Sequence, residues 1–502
     1  MKSASRRLLP CLQRFLTTAV IGMAVSSCAV GPDFRSPEAP RVTGYTAAAL
    51  PGKTAAAPVT GGAAQAIKAG AAVSAEWWQL FQNPALDRLL RQAIAGNPTL
   101  ASAEATLRQA RENLRARSGT EYFPQVDASL SGSRQKASGV AFGQTNSSGF
   151  IYNLFNASVS VSYNLDLFGG GRRELEALQA QVDYQRFQQE AAYLALTANI
   201  VTTVIKEASV RAQITSTREM LALQEQQLHL VDRQFQLGGA ARSDVLTQRS
   251  ELAQFRASLP LLEKELAQTR NQLAVYVGIF PGEAHLPEFT LEQLHLPREL
   301  PLSLPSSLTR QRPDIRAAEE LLHAASAKVG VATANLYPTI TLTGSLGSQA
   351  ATLGNLLSNN TSIWGFGAGI LQPLFRGGEL TAQRRAAIAG YDQAVAQYRK
   401  IVLEAFQNVA DVLQALEADA VTLAAQAEAE KTSRDTLELT QRQYELGAVS
   451  YLLLLTAQRQ HQQARISLVQ AEAARYADTA ALFQSLGGGW WNRARTNEYK
   501  AD

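Results

Sequence analysis

The stretch Ala157-Ser158-Val159-Ser160-Val161-Ser162-Tyr163-Asn164-Leu165-Asp166-Leu167-Phe168 decides the architecture, together with the glycine turn and the long breaker-free run behind it. Apolar residues occupy every second position, and the intervening ones are small and hydroxylated or amide-bearing. Strict alternation describes a half-buried β-strand with one apolar and one polar face. A polar face of serines suits a water-filled lumen, and aromatics near the strand ends (Tyr122, Phe123, Tyr163, Phe168) match the girdle of a membrane barrel. An ordinary sandwich hairpin remains compatible with the alternation alone. Gly169-Gly170-Gly171 ends the strand, and the next 66 residues, Arg172 to Leu237, contain neither glycine nor proline. As one helix they would reach roughly 100 Å, far beyond an average helix of about 11–12 residues.

Working outward, Val126, Ala128 and Leu130 alternate with Asp127, Ser129 and Ser131 to give a first strand. Asn97-Pro98 opens the helix before it. Gly238-Gly239 turns the long helix back into a second one, expected from about Ser243 to Val277 and broken at Pro260. The plan then recurs. Arg312-Pro313-Asp314 answers Asn97-Pro98-Thr99 after 215 positions, and Tyr337-Pro338 answers Phe123-Pro124 after 214. Leu374-Phe375-Arg376-Gly377-Gly378 answers Leu167 to Gly171 after 207, and Gln443 to Gly447 answers Gln234 to Gly238 after 209. The expected segments are therefore a first repeat over 76–277, a linker over 278–311, and a second repeat over 312–486, with a tail at 487–502. Strands are expected at about 121–133, 155–168, 338–348 and 362–375. Long helices are expected at 172–237, 243–277, 379–446 and 451–486.

The N-terminus reads as an export signal. Arg6, Arg7 and Arg14 precede an apolar stretch, Phe15 to Val25, that is too short to span a bilayer. Val25-Ser26-Ser27-Cys28 resembles a bacterial lipobox, which makes Cys28 the lipidated first residue of the mature chain and residues 1–27 the signal. A plain signal peptide with an incidental cysteine is the competing reading. Residues 28–75, rich in Ala, Gly, Pro and Thr, read as an extended tether with little capacity for a core.

Composition narrows the function. The 502 residues are 46% hydrophobic and 18% charged, which excludes a wholly disordered chain. No run of 18 apolar residues occurs, which excludes a multi-pass helical membrane protein. The 47 basic and 43 acidic residues give +4, yet Lys2, Arg6, Arg7 and Arg14 all lie in the signal. The remainder is neutral and implies no nucleic-acid partner. Five histidines and two cysteines lie scattered, so no metal cluster, cofactor site or disulfide framework is expected. There is no phosphate loop and no nucleophile elbow, so no enzyme is expected.

Four strands per chain cannot close a barrel, and lipid does not tolerate an open sheet edge. If the strands span a membrane, chains must pool them. Two chains give eight strands with a filled interior, and three give twelve and a pore. A helical coiled-coil lipoprotein scaffold is the reading from another class.

Taken together these residues resemble the outer-membrane factor family (TolC-like channels), in its lipoprotein branch serving resistance-nodulation-division (RND) efflux pumps. The motifs are Cys28 with Gly31-Pro32-Asp33-Phe34, Trp77-Trp78 with Phe81, Asn97-Pro98 and Tyr122-Phe123-Pro124. Leu167 to Gly170, Arg312 to Ile315, Asn335 to Pro338, Gln372 to Gly378 and Leu486 to Trp490 complete the set. The resemblance implies an α+β membrane protein and a homotrimer. It would have one 12-stranded outer-membrane β-barrel, a 12-helix periplasmic α-barrel and a mixed equatorial domain. It implies a passive duct for drugs or other small molecules, with a periplasmic adaptor and an inner-membrane RND pump as partners. A type I secretion duct is the nearer rival.

The resemblance also places a gate at the helix tips. Leu452 falls at an apolar constriction, Asp244 and Tyr444 at inter-helix polar links, and Arg459 at another. Thr456 stands where the family often carries Asp. Gly238, Arg242, Ser243, Gly447 and Val449 fall where an adaptor would touch. Plainer roles also fit: Ser243 or Asp244 as a helix cap, Leu452 to Leu455 as packing, Arg242 and Arg459 as solvated charges.

Overall fold

A computed structural model describes residues 29–48, 51–138, 149–358 and 360–493. Cys28 and the signal lie outside the described residues. The chain divides into two compact units.

The first unit comprises residues 29–37, 106–185 and 318–398. Its centre is one four-stranded sheet, β2 (Gln125–Ala137), β3 (Phe150–Leu165), β5 (Thr339–Ala350) and β6 (Ser362–Leu371), in that order and antiparallel throughout. The register sorts the side chains completely, because their period is two. Val126 stands opposite Val161, Val161 opposite Gly344, and Gly344 opposite Phe366. One row further, Ala128, Val159, Leu346 and Trp364 align. That face is apolar. The other carries Ser129, Ser158, Ser160, Ser345 and glycines 365, 367 and 369, with Ser129 and Ser158 hydroxyls 3.0 Å apart and Thr341 donating to Asn164 at 2.7 Å. β2 and β6 are the two edges, and neither pairs with the other. Val126, Leu130, Leu346, Trp364 and Phe366 are exposed in the single chain.

The strands depart from expectation at their ends. β2 starts four residues later than 121, because the helix before it, α2 (Pro98–Tyr122), occupies those positions, and it runs on to Ala137 along its pairing with β3. β3 begins at Phe150, and β6 stops at Leu371, where Gln372-Pro373 removes a ladder donor. Of the expected girdle, Phe168 lies just past β3 and stacks on Tyr337 at 4.6 Å, while Tyr122 and Phe123 are exposed.

The second unit comprises residues 38–105, 186–317 and 399–493. Helix α1 (Pro84–Gly96) starts on Asn83, whose side chain accepts from the Ala85 and Leu86 amides at 2.9 and 3.0 Å. Asn97 caps α2 in the same way through Thr99 and Leu100. Trp77 is 1% exposed and stacks flat on Phe483 at 5.3 Å, and Trp78 donates to Asp87 at 3.0 Å. The remaining helices are α3 (Gly170–Gln236), α4 (Arg242–Val277), α5 (Pro305–Gln311), α6 (Pro313–Ala334), α7 (Glu379–Glu445) and α8 (Tyr451–Ser485). Both α3 and α7 have 67 residues and pass from the first unit into the second.

Two expectations are corrected here. The interruption at Pro260 does not occur: α4 is continuous through it. Buried Leu252 and Phe255 on one side and Leu273 on the other keep the helix packed across the missing backbone bond. The segment read as a plain tether is also built into the fold, residues 29–37 in the first unit and the rest of its described residues in the second. Strand β1 (Ala66–Ala69) pairs in parallel with β4 (Glu299–Leu302), which lies inside the expected linker beside fully buried Phe289 and Leu300. Composition hides this, because the segment is held mainly through backbone and polar groups. Gln65 donates to Pro297 O at 3.0 Å and Thr479 at 3.2 Å. Arg475 is fully buried and donates to Ala63 O at 2.6 Å and Thr54 at 3.0 Å.

Arg475 has an acidic neighbourhood. Burial, then a hydrogen bond with Asp478, pushes the Asp419 carboxyl from its ordinary 3.8 up to about 7, while Arg475 pulls the other way. Between those values the folded chain holds a proton that the unfolded chain lacks, so this group's contribution to stability falls as pH rises through that window. Asp419→Asn keeps the hydrogen bond without the charge. Its thermal midpoint should therefore drop less than the parent's between about pH 5 and about pH 8. Parallel curves would assign Asp419 no role in the pH dependence.

Candidate functional site

The residues singled out for a gate collect at one end of the second unit's helices, around two turns with the same backbone solution. Gly238 has φ +79° and Gly447 φ +75°, values open to glycine at no steric cost. Gly239 N–H returns to Gln234 O at 2.7 Å, and Ala448 N–H to Gln443 O at 2.8 Å. The orphan carbonyls of α3 and α7 are thus satisfied, and each chain reverses tightly.

Asp244 is local in its bonding. Its carboxylate accepts from Ala241 N–H at 3.1 Å, which caps α4. The N-cap is Ala241 rather than Ser243; Ser243 is the second helical residue, and its carbonyl accepts from Thr247 at 2.8 Å. Tyr444 donates from α7 to Gln234 of α3 at 3.0 Å, and its ring lies 5.6 Å from that of Tyr451. Burial first, and the Asp244 carboxylate second, hold the Tyr444 hydroxyl above its usual range. Arg459 of α8 pairs with Glu251 of α4 at 3.3 Å, where Glu251 is nearly buried. Leu452 and Thr456 lie exposed on α8, with Thr456 donating back to Leu452 O at 2.9 Å. Gly238, Arg242, Ser243 and Gly447 are exposed, and Val449 is half-buried.

Beneath them sits a small apolar plug of Val231, Val245, Tyr451, Leu454 and Leu455. Next to it is a buried amide cluster that the sequence does not reveal. Gln224 of α3 donates to Gln458 of α8 at 3.0 Å, Gln248 of α4 donates to Gln224 O at 3.0 Å, and Tyr451 donates to Gln248. Three helices are thereby tied by polar groups without solvent. The available signal was a parallel: Thr247-Gln248-Arg249 and Thr456-Ala457-Gln458-Arg459 stand behind the two tips. In helices this rich in glutamine, nothing in the sequence distinguishes the buried ones from the solvated ones.

The four-stranded sheet, with one apolar and one hydroxylated face, fits strands that meet lipid; none of the described helices is long and apolar enough to cross a membrane. Comparison with known proteins agrees. The family model for outer membrane efflux proteins matches residues 89–279 and 304–488. A probable efflux pump outer membrane protein of Pseudomonas putida KT2440, TtgC, is 32% identical over 482 residues, covering 95% of this chain and 96% of that protein. The pyoverdine export outer membrane protein OpmQ of Pseudomonas aeruginosa PAO1 is 33% identical over 422 residues, covering 83% of this chain and 87% of OpmQ. The solved outer-membrane channel OprN superposes with a TM-score of 0.82 at 29% identity, covering 92% of this chain and all of that one. The chain belongs to the outer membrane efflux protein family. Its place is the outer membrane and its work there is efflux.

Proposed function

We propose that three copies of this chain pool their strands into one 12-stranded barrel and their long helices into a 12-helix periplasmic tunnel. The observation that carries this is the four-stranded sheet, with its two unpaired edges and its sorted faces. An open edge in lipid leaves backbone groups unsatisfied, each at a cost of several kcal/mol. Pairing the β2 edge of one copy with the β6 edge of the next removes every edge. Twelve strands leave a pore, and its wall is then serine, threonine and glycine. The recurrence of α2-β2-β3-α3-α4 as α6-β5-β6-α7-α8 supports an internal two-fold repeat.

The duct is passive and works without a cofactor. Its driving force comes from an inner-membrane RND pump, reached through a periplasmic adaptor that docks on the tip turns at Gly238, Arg242, Ser243, Gly447 and Val449. An acylated Cys28 anchors each chain in the outer membrane. The tips are the gate: Leu452 forms the apolar constriction, Tyr444 and Arg459 hold polar links between helices while Asp244 caps α4 and makes no such link in the single chain, and Thr456 leaves no acidic ring at its level. Drugs or other small amphiphiles pass through the lumen.

Conductance across a planar bilayer tests this reading. The purified protein should give discrete steps, and silence at every voltage would contradict the duct. Gln248→Leu should raise the opening frequency. It leaves the Gln224 Oε1 and the Tyr451 hydroxyl without their Gln248 partner in a buried site, a loss of about 1–3 kcal/mol, or about 5–150-fold in an equilibrium. Unchanged gating in Gln248→Leu would remove the amide cluster from the account of the closed tip.

A further inference from the structure

The apolar face of the sheet is not evenly filled. A hollow of about 380 Å³ lies on it, lined by Val161, Tyr163, Leu342, Gly344 and Phe366. Its floor is Gly344, where an added Cβ would meet nothing within 4 Å. The volume falls in the range of small-ligand clefts, roughly 300–1,000 Å³, and apart from Thr343 and the Tyr163 hydroxyl the lining side chains are apolar.

The N-terminal arm ends at the foot of the same strands. Phe34 stacks on His323 at 4.3 Å, and Asp33 pairs with the buried guanidinium of Arg173 at 2.5 Å. Going back along the chain, Gly31 lies so close to Gly330 that a Cβ on Gly31 would collide with the Gly330 Cα. Val30 N–H donates to Phe168 O at 3.0 Å, and Ala29 is packed so closely on Gly169 that a Cβ there would meet it at 2.6 Å. The contacts climb α6 from His323 to Gly330 and arrive where β3 ends. The next residue back is Cys28.

We infer that the hollow around Gly344 is the seat of an acyl chain carried by Cys28 of the same polypeptide. The inference rests on the proposed lipidation. Tyr163 precedes Phe168 by five residues, of which those past Leu165 turn out of the strand, so the two lie within roughly 17 Å at about 3.3 Å per residue. An acyl chain spans half of a hydrocarbon core of about 30 Å, or roughly 15 Å. A chain attached beside Ala29 and laid along β3 and β5 therefore brings its far end to Tyr163, Leu342 and Gly344. Free phospholipid competes for the hollow, but the attached chain has its near end already fixed at the strand foot. The anchor is then part of the barrel wall as well as a tether.

The test is photocrosslinking in intact membranes from cells fed a fatty acid with a diazirine near its methyl end, followed by digestion and mass spectrometry. The Cys28 lipopeptide should be joined to peptides of β3 or β5. Gly344→Phe fills the hollow and should cut that crosslink about ten-fold, whereas Leu346→Phe, one row away, should leave it unchanged. Intact mass separates the failures. An acylated Cys28 joined only to other sites, or β3 and β5 peptides joined only to free phospholipid, overturns the seat and leaves the lipidation standing. A Cys28 without acyl mass overturns both. Wild-type crosslinks elsewhere overturn the seat even if Gly344→Phe fails to fold.

Discussion

Leu346→Arg is expected to destabilise the barrel by about 2–4 kcal/mol, the cost of an arginine facing lipid near the bilayer midplane. Leu346 sits near the middle of β5, opposite Val159 on one side and Trp364 on the other, all on the apolar face. In the proposed barrel, its exposure of 67% in the single chain is met by hydrocarbon rather than by protein. The neighbouring Ser345→Arg is the control. Ser345 faces the other way, between Ser160 and Gly365. An arginine there enters water, so it should leave the unfolding midpoint in place and shift ion preference towards anions. Urea unfolding in lipid vesicles measures the first effect and reversal potentials the second. Equal destabilisation by both variants would contradict the assignment of the two faces.

Arg475→Ala is expected to cost about 3–5 kcal/mol, as removal of one partner from a buried charged network does. The guanidinium holds Ala63 O and Thr54 from one segment and stands beside Asp419. Its loss leaves buried Thr54 and the Ala63 carbonyl without that donor, removes the cation beside Asp419 and opens a cavity. The damage should be local first, because residues 53–69 are fastened mainly by these bonds and by the β1–β4 pairing. Trypsin reads this out, since Lys53 and Lys68 flank the clasp, with Lys53 exposed and the Lys68 side chain 53% exposed. Faster cleavage at both sites, together with a lower thermal midpoint, is the expected pair of results. A lower midpoint with unchanged cleavage would mean that Arg475 supports the helices and does not clasp the segment.

The sequence was most legible where one physical rule dominates. Alternation over Ala157 to Leu167 needs only the two-residue period, and a lipid-facing strand displays it without noise. Arg172 to Leu237 needs only the absence of breakers. Element ends were less legible, since α2 runs on to Tyr122 and β2 to Ala137 through mostly exposed residues that carry no pattern of their own. Pro260 shows the same priority, with tertiary contacts on both sides overriding a local breaker. The attachment of the segment before Trp77 is not legible in its sequence, because it has few large apolar side chains and is held by backbone carbonyls and the distant Arg475. At the tips the turns were visible in Gly238 and Gly447. The amide cluster was not, because burial of Gln224, Gln248 and Gln458 depends on which faces of three helices meet.

The central claim is that chains share one barrel, and native mass spectrometry of the membrane-extracted protein tests it most directly. A species of three mature chains, each with the mass of an acylated Cys28, is the expected result. A monomer or a dimer as the intact membrane form would contradict the shared twelve-stranded barrel.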